Sequence, residues 1–284
     1  MLAASTQSER RGALTSTFDE PTAPGAKERF ADFPLNRMTG KAIRVLRDRK
    51  SNTPEAANAR VKIIRRVFAW GLDNDLCQTN PARDVQGIRT VTDGHRTWTP
   101  EDIAQFEAKH PIGSKVRLAF ALLLYTGVRR SDVVVLGRQH VRNGWLKFNQ
   151  QKNRRRKLVV IELPILPVLQ SIIDCSPTGD LTFLVNAHGQ PFSVDGFGSW
   201  FKAQCVAAGL HDHTAHGLRK SGAVLAAENG ATPHQLMAIF GWLSISEAQR
   251  YTQAAQRKKL AHDAMHLLDR PAAALSDKPT DEAT

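Results

Sequence analysis

The stretch from 214 to 251 constrains the fold more than any other part of the chain, because its helix-capping and helix-ending residues divide it into short helices. Thr214 is a helix-capping residue, and Gly230 stands where the following apolar pattern ends. The pair Thr232-Pro233 places a cap directly before a proline at the first helical position, and Gly241 ends that helix. A third helix follows, so the stretch predicts three successive helices separated by tight turns.

The first of these helices begins with residues that suit a phosphate group. His216 and Arg219 are three positions apart and therefore lie on one side of its first turn. The free N–H groups of a helix start, together with a guanidinium fork and an imidazole, form a phosphate site. Tyr251, one of only two tyrosines, stands on the third helix beyond this site.

A second cationic side chain is predicted on a rigid corner. The apolar pattern of Lys115–Tyr125 predicts a helix, and Gly127 can take the left-handed conformation that ends it. Ser131 is then the expected cap of a helix running from 132 to 136. Arg129 lies between the two helices, in a tight turn that aims its guanidinium in advance.

The pattern of the segment that follows Arg129 predicts a basic β-hairpin. Residues 144–148 and 158–163 have the apolar patterns of strands, and a polar turn separates them. No acidic residue occurs between Asp132 and Glu162, so the hairpin is strongly positive. Such a loop binds DNA phosphates or serves as a nuclear-localisation-like run. The cations of the turn are Lys152, Arg154, Arg155, Arg156 and Lys157.

The N-terminal third contains a long basic helix. Thr53 and Pro54 open it, and two of its arginines, Arg60 and Arg65, are either part of a solvated charged face or DNA contacts. Residues 1–35 are polar, without a sustained period, and are expected to be poorly ordered. The apolar stripe of the helix is Val61, Ile64, Val67, Phe68 and Leu72.

Composition indicates which class of partner the protein binds and in which cellular compartment it is expected. The formal net charge is +12 over 284 residues, which favours a polyanionic partner. Cys77, Cys175 and Cys205 lack CxxC spacing and are expected to be buried free thiols in a reducing cytoplasm. There is no apolar run of the roughly 18 residues that a membrane span needs and no signal-peptide core. These features predict a cytoplasmic protein with no membrane partner.

The sequence gives little support for a metal site. His211, His213 and His216 form a His-x-His-x-x-His run, but the spacing is not the i, i+4 pair of a helical metal site. The chain also lacks the acidic cluster that metal nucleases use. Neither a metal nor a nucleotide cofactor is therefore expected.

Four of these residues resemble the second catalytic box of the tyrosine recombinases, the phage-integrase family. That box reads His-x-x-Arg, then Gly-His or Gly-Trp, then a tyrosine nine residues later, and His216, Arg219, Trp242 and Tyr251 match it.

The first box and the hairpin add to this resemblance. Arg129 matches the Gly-x-Arg arginine, and Asp132 matches an acidic position from which it is expected to orient Arg129. Lys152 matches a catalytic lysine on a β-turn, with Lys157 as the alternative because Asn153 stands where the family usually has Gly or Thr.

The resemblance implies a mainly α fold with a small antiparallel β-sheet. An integrase-type catalytic domain is expected to follow a shortened, helical, SAM-like core-binding domain. The expected boundaries are 1–35 for the poorly ordered segment, 36–84 for the partial core-binding domain, 85–97 for a linker, 98–270 for the catalytic domain and 271–284 for a flexible tail.

The resemblance also implies a site-specific recombinase that cleaves and rejoins DNA through a 3′-phosphotyrosine, for a phage or mobile element. Its expected partners are double-stranded DNA and further copies of itself in a tetrameric synapse. Type IB topoisomerases share the chemistry but generally have larger scaffolds or lack the Gly-His/Trp spacing. The alternative function is that of a non-catalytic DNA-binding remnant, impaired by the shortened N-terminal domain.

Overall fold

The computed structural model describes residues 4–89, 94–152 and 158–268. Its contacts divide the chain into two units, Met1–Asp93 and Gly94–Thr284, at a point inside the segment assigned as a linker. The described residues are mostly α-helical and include a small antiparallel sheet, which confirms the predicted fold class. Within them, no helix is both long enough and apolar enough to cross a bilayer.

The first unit is built around one long helix. Pro54 begins it at the first helical position, and Val61, Ile64 and Phe68 pack in the core of the unit. Val67 and Leu72, which the sequence pattern placed on the same stripe, are instead more than a third exposed. The elements of the unit are α1 (Ala4–Phe18), a 3₁₀ turn (Leu35–Arg37), α2 (Gly40–Asp48) and α3 (Pro54–Asp73).

Residues 4–35 are more structured than the sequence led us to expect. From residue 4 the chain forms α1, which packs against α3. Phe30 is buried in the core of the unit, and Pro21 and Arg29 form an antiparallel β-bridge. The local sequence has little amphipathic pattern, so contacts with the rest of the unit decide this structure and pattern reading misses it.

The two arginines of α3 that were interpreted as DNA contacts have internal partners. Arg60 is only 2% exposed; its NH1 lies 2.6 Å from Oε1 of Glu20 and donates to the Leu46 carbonyl at 2.8 Å. Arg65 is half-buried and donates to the backbone carbonyls of Ala82 at 2.9 Å and of Val85 at 2.8 Å. Both guanidiniums bind groups of their own unit. Burial corrects the assignment of Arg60 as a DNA-binding residue, whereas that of Arg65 stays a prediction.

The core of the second unit is built around the mostly apolar helix α5 and includes side chains of the sheet. Ser114 caps α5 and Gly127 ends it with φ +59°, while Leu118 to Leu124 are all buried. Helices α6, α7 and α9 pack against it. The helices of the unit are α4 (Pro100–Lys109), α5 (Lys115–Thr126), α6 (Arg130–Val133), α7 (Pro167–Cys175), α8 (Val194–Ala207), α9 (Ala215–Glu228), α10 (Pro233–Phe240) and α11 (Ile245–Ala264), with 3₁₀ turns at Arg138–His140 and Met265–Leu268.

The predicted hairpin is present and gains a short third strand. The sheet consists of β1 (Val141–Arg142), β2 (Trp145–Asn149) and β3 (Val160–Pro164), in the order β1-β2-β3 and antiparallel throughout. Phe148 faces Ile161 across the central pair, and both are buried. Two residues are too few to show a strand period, so the sequence did not reveal β1.

The cysteines are free, as predicted, but differ in their exposure. Cys205 is buried in the core, and burial raises the pKa of its thiol to about 12. Cys77 is half-buried and Cys175 is exposed, which corrects the expectation that all three are buried. Cys175 is the last residue of α7 and therefore lies at the edge of the core.

Replacing Arg60 by alanine should destabilise the first unit, because it removes a buried guanidinium from Glu20. Breaking such a pair lowers the free energy of unfolding by about 3 kcal/mol or more. Native-state hydrogen exchange of the α3 amides measures this unit by itself. Arg66→Ala, on an exposed position of the same helix, should change the opening free energy by less than about 0.5 kcal/mol. Equal effects of the two substitutions would contradict the structural role of Arg60.

Candidate functional site

The first two turns of α9 carry His216 and Arg219, which differ in their burial. Thr214 caps the helix by accepting a hydrogen bond from the Gly217 amide at 3.4 Å, as the sequence predicted. His216, on the first turn, is the more exposed of the two side chains, whereas Arg219, one turn further on, is only 5% exposed. Gly217 allows a close approach, because a Cβ there would lie 2.2 Å from the Arg96 carbonyl oxygen.

Arg219 binds the ends of two other helices. Its NH1 donates to the carbonyl of Gly127, and its NH2 donates to the carbonyl of Phe240 at 2.6 Å. The guanidinium carbon lies 5.2 Å from the centre of the Phe240 ring and 5.8 Å from that of Trp242. Burial and then the charge of Arg129 lower the pKa of Arg219 to about 9, so it remains charged at neutral pH.

Arg129 stands at the predicted corner, but the helix after it begins earlier than expected. Arg129 itself is the cap residue of α6, so Ser131 lies inside that short helix and does not cap it. The Arg129 side chain is half-buried. Its NH1 is buried and makes no hydrogen bond among the described residues. Since buried donors are normally paired, this nitrogen is available to a ligand.

Asp132 connects this corner to the hairpin. Its carboxylate is fully buried, and Oδ1 accepts a hydrogen bond from the Gln151 amide at 2.8 Å. Burial raises the pKa of Asp132, and the nearby charges of Arg129 and Arg219 oppose that rise. Arg129 therefore acts on the Asp132 carboxylate through its charge and through its backbone, while the hydrogen bond from the Gln151 amide holds the hairpin. That Asp132 orients the Arg129 side chain stays a prediction.

Trp242 and Tyr251 lie in one aromatic stack. The two rings are nearly parallel, at 8°, with centroids 5.1 Å apart, and the opposite neighbour of Trp242 is Phe240 at 4.9 Å. Gly241, with φ +60°, ends α10 and turns Trp242 into this stack. Tyr251 is half-buried on α11. Burial raises the pKa of its phenol and Arg219 opposes this, so the phenol is neutral at physiological pH.

His216 is surrounded by positive charge. Desolvation, followed by the charges of His95, Arg219, Arg129 and Lys152, lowers the pKa of His216 to about 4. Its ring centroid is 4.6 Å from that of His95, which also approaches the Thr214 hydroxyl at 3.3 Å. The imidazole is therefore neutral at pH 7 and able to accept a proton.

Lys152 is exposed and is the last described residue before the tip of the hairpin. The other predicted hairpin cations, Arg154, Arg155, Arg156 and Lys157, lie outside the described residues. The choice between Lys152 and Lys157 as the catalytic lysine thus stays open. The influence of Lys152 on the pKa of His216 places its charge near the site.

The three histidines considered for a metal are used differently from one another. His213 is buried, with Nε2 2.9 Å from Oδ2 of Asp102 and its ring against Trp98. His211 is exposed, and His216 faces the arginine site. In the parts of the chain that the structure describes, no group of three or more His, Cys, Asp or Glu side chains is arranged to hold a metal ion.

Two neighbours of the site were not singled out from the sequence. Gln150 is buried and donates to the Phe240 carbonyl at 3.0 Å. His95 comes from the segment before α4 and contacts His216. A glutamine at a strand end and a histidine in a loop have no local signature, because only the fold brings them to residues that are distant in sequence.

Comparison with known proteins identifies a family and relatives to which this chain is similar. The family model of the phage integrase family matches residues 99–258. Tyrosine recombinase XerC of Roseiflexus castenholzii is 27% identical over 238 residues, which cover 78% of this chain and 73% of the relative. A putative prophage phiRv2 integrase of Mycobacterium tuberculosis is 26% identical over 252 residues, covering 80% of this chain and 66% of the relative.

The fold is also similar to that of a solved integrase structure. A lambda integrase dimer bound to a COC′ core site superposes with a TM-score of 0.72 at 19% identity. The match covers 89% of this chain and 72% of that chain. At this identity the likeness concerns the fold alone.

The His216 imidazole should titrate well below an ordinary histidine, near pH 4 rather than about 6.5. Between these values the unfolded chain binds more protons, so this group lowers stability as the pH falls through that window. An NMR pH titration measures the midpoint, with the His216 signal assigned by its loss in His216→Gln. A midpoint near 6.5 would contradict a desolvated ring among cations.

Proposed function

Because this chain belongs to the phage integrase family, we propose that it is a site-specific DNA recombinase that cleaves and rejoins strands through a 3′-phosphotyrosine. The observation that carries this proposal is the convergence of distant residues on one place. Arg219 donates to the carbonyl of Gly127, two residues before Arg129, and its charge acts on the pKa of Tyr251. Two guanidiniums and a phenol thus share one site.

The arginines supply what a phosphodiester needs before it can be attacked. The two non-bridging oxygens share a negative charge that repels a nucleophile, and fixed cations aimed at them stabilise the transition state. The unpaired NH1 of Arg129 is a buried donor ready for such an oxygen. Arg219 is held by backbone carbonyls, so it contributes its charge from a fixed position.

Tyr251 is the proposed nucleophile, and its phenol must lose a proton in the attack. The pKa of Tyr251 is raised, so the free enzyme holds the neutral phenol. His216 is neutral and can take this proton as the phenol oxygen bonds to phosphorus. The Trp242 indole N–H is a donor-only group and can add a hydrogen bond to a phosphate oxygen.

The same step releases the 5′-oxygen of the cleaved strand, which needs a proton. Lys152 or Lys157 on the hairpin is the proposed donor, and it yields a free 5′-hydroxyl. The phosphotyrosine retains the energy of the broken bond, so a second hydroxyl can displace the tyrosine without ATP. The proposed reaction thus balances without a metal or a nucleotide.

The partners follow from this chemistry. We propose double-stranded DNA as the substrate, in keeping with the net charge of +12. Strand exchange joins the ends of two duplexes, so several copies of the chain must act together, and we propose the tetrameric synapse expected from the sequence. The lambda integrase to which the fold is similar was solved as a dimer on DNA. The prophage relative supports a role in a mobile element.

A suicide substrate tests the catalytic proposal. A duplex nicked near the cleavage site loses its short 5′-hydroxyl strand, so a covalent protein–DNA adduct should accumulate with the wild type and be absent with Tyr251→Phe. Denaturing gels measure the adduct, and retardation on native gels measures binding by both proteins. Retarded DNA without an adduct from the wild type would instead indicate a non-catalytic DNA-binding remnant.

The hairpin arginines should act on binding rather than on chemistry. Arg154→Ala and Arg156→Ala should each weaken binding to all sequences and reduce the slope of log K against log salt by about one unit, since each removes a phosphate contact. The double variant should reduce it by about two. Fluorescence anisotropy over a series of salt concentrations gives the slope, and an unchanged slope would mean that these arginines do not touch phosphate.

A further inference from the structure

Gln150 is a buried polar residue at the entrance to the hairpin turn. It directly follows β2, and its backbone amide closes the hairpin by donating to the Val159 carbonyl at 2.9 Å. Its side chain is turned inward, 3% exposed, and Nε2 donates to the Phe240 carbonyl at 3.0 Å. A buried amide of this kind stabilises one geometry, since losing its partner would leave the buried amide nitrogen without a hydrogen bond.

The carbonyl that Gln150 binds is the one that Arg219 also binds. The Arg219 NH2 donates to the same Phe240 oxygen at 2.6 Å. This oxygen belongs to the last residue of α10, where helix carbonyls lack partners within the helix. Gly241 makes room for the contact, because a Cβ at that position would lie 2.4 Å from Nε2 of Gln150. The hairpin, through Gln150, and the proposed phosphate-binding Arg219 thus donate to the same acceptor atom.

The next residue of the hairpin is fixed as well. The Gln151 amide donates to Oδ1 of the buried Asp132 at 2.8 Å. Two successive residues therefore anchor the hairpin to the arginine site, one through Phe240 and one through Asp132. Lys152 comes directly after them. A side chain whose preceding residues are held in this way approaches the site in a restricted set of positions.

We propose that Gln150 is a positioning residue for strand cleavage, because its amide ties the hairpin lysine to the carbonyl that holds Arg219. This proposal rests on the proposed recombinase function. Gln150 touches neither the phosphate nor the leaving oxygen in this role. It sets where the hairpin lysine stands when the P–O5′ bond breaks and the 5′-oxygen takes its proton.

A substrate that does not need this proton separates positioning of the lysine from a general loss of folding. In a 5′-bridging phosphorothiolate, sulfur replaces the leaving oxygen. The tyrosine oxygen still bonds to phosphorus and the P–S bond breaks, but the thiolate leaves as an anion without a proton. A defect confined to proton delivery should therefore be relieved on the sulfur substrate.

The experiment compares cleavage rates on the sulfur and oxygen substrates for Gln150→Met, which keeps the chain length but removes the amide. Cleavage of the oxygen substrate should fall about tenfold, a part of the roughly 10²- to 10⁴-fold that a positioned acid contributes. The sulfur-to-oxygen ratio should rise by about the same factor. A smaller folded fraction lowers both rates equally and leaves the ratio unchanged.

Matched variants define the limits of this test. Gln105→Met removes a similar bond, from Nε2 to the Ala208 carbonyl at 2.7 Å, away from the hairpin, and should leave the ratio at the wild-type value. Arg219→Lys should slow both substrates without raising the ratio, because it acts on the non-bridging oxygens. Lys152→Ala shows the full size of the effect if Lys152 is the acid.

The outcomes distinguish this inference from the function on which it rests. If the wild type forms no adduct with either substrate, the proposed function fails. If the wild type reacts but Gln150→Met has the wild-type ratio, or forms no product even with sulfur, the positioning role of Gln150 is overturned and the recombinase proposal stands.

Discussion

The buried guanidinium of Arg219 is the interaction on which the rest of the site depends. A charge that is removed from water is costly unless hydrogen bonds compensate for it. Arg219 obtains them from the carbonyls of Gly127 and Phe240, at the ends of α5 and α10, where the helix dipoles are negative. This one side chain of α9 thereby fixes two other helix ends. Arg129 and Trp242 each follow one of these carbonyls by two residues, so the same contacts bring both close to Arg219 in space.

Burial and the charges of the arginines shift the pKa values of the titratable groups in the site. Desolvation first, and then the charges of His95 and the two arginines, lower the pKa of His216 to about 4 and keep it neutral. The two arginines also oppose the rise in the pKa of Asp132. Burial holds Tyr251 in its neutral form. The site thus carries positive charge with one orphaned donor on Arg129, a state that an anion between the arginines would relieve. Under the proposed function, a DNA phosphate is that anion.

The first unit shows where pattern reading is weakest. Its helix α3 follows from an apolar period and a proline at the first position, and it was predicted. Helix α1 and the burial of Phe30 were not, because the segment has few apolar residues and its order depends on long-range partners. Glu20 is an example. It lies in a polar segment with no apolar pattern, yet its carboxylate is 2.6 Å from the guanidinium of Arg60.

The sequence by itself determined the local structure of this protein and the identity of the chemical groups. Thr214, Thr232 and Gly241 act within a few residues, so their caps and stops could be predicted, and so could the spacing from Trp242 to Tyr251. Only the tertiary structure decided which cations are internal and which face a ligand. Arg60 and Arg219 are both buried arginines on helices, yet one pairs with a carboxylate and the other binds carbonyls beside Arg129. Gln150 likewise contacts Phe240 only because the fold brings the end of β2 to the end of α10. Hydrogen bonds between residues so distant in sequence produce no periodic pattern from which they could be predicted.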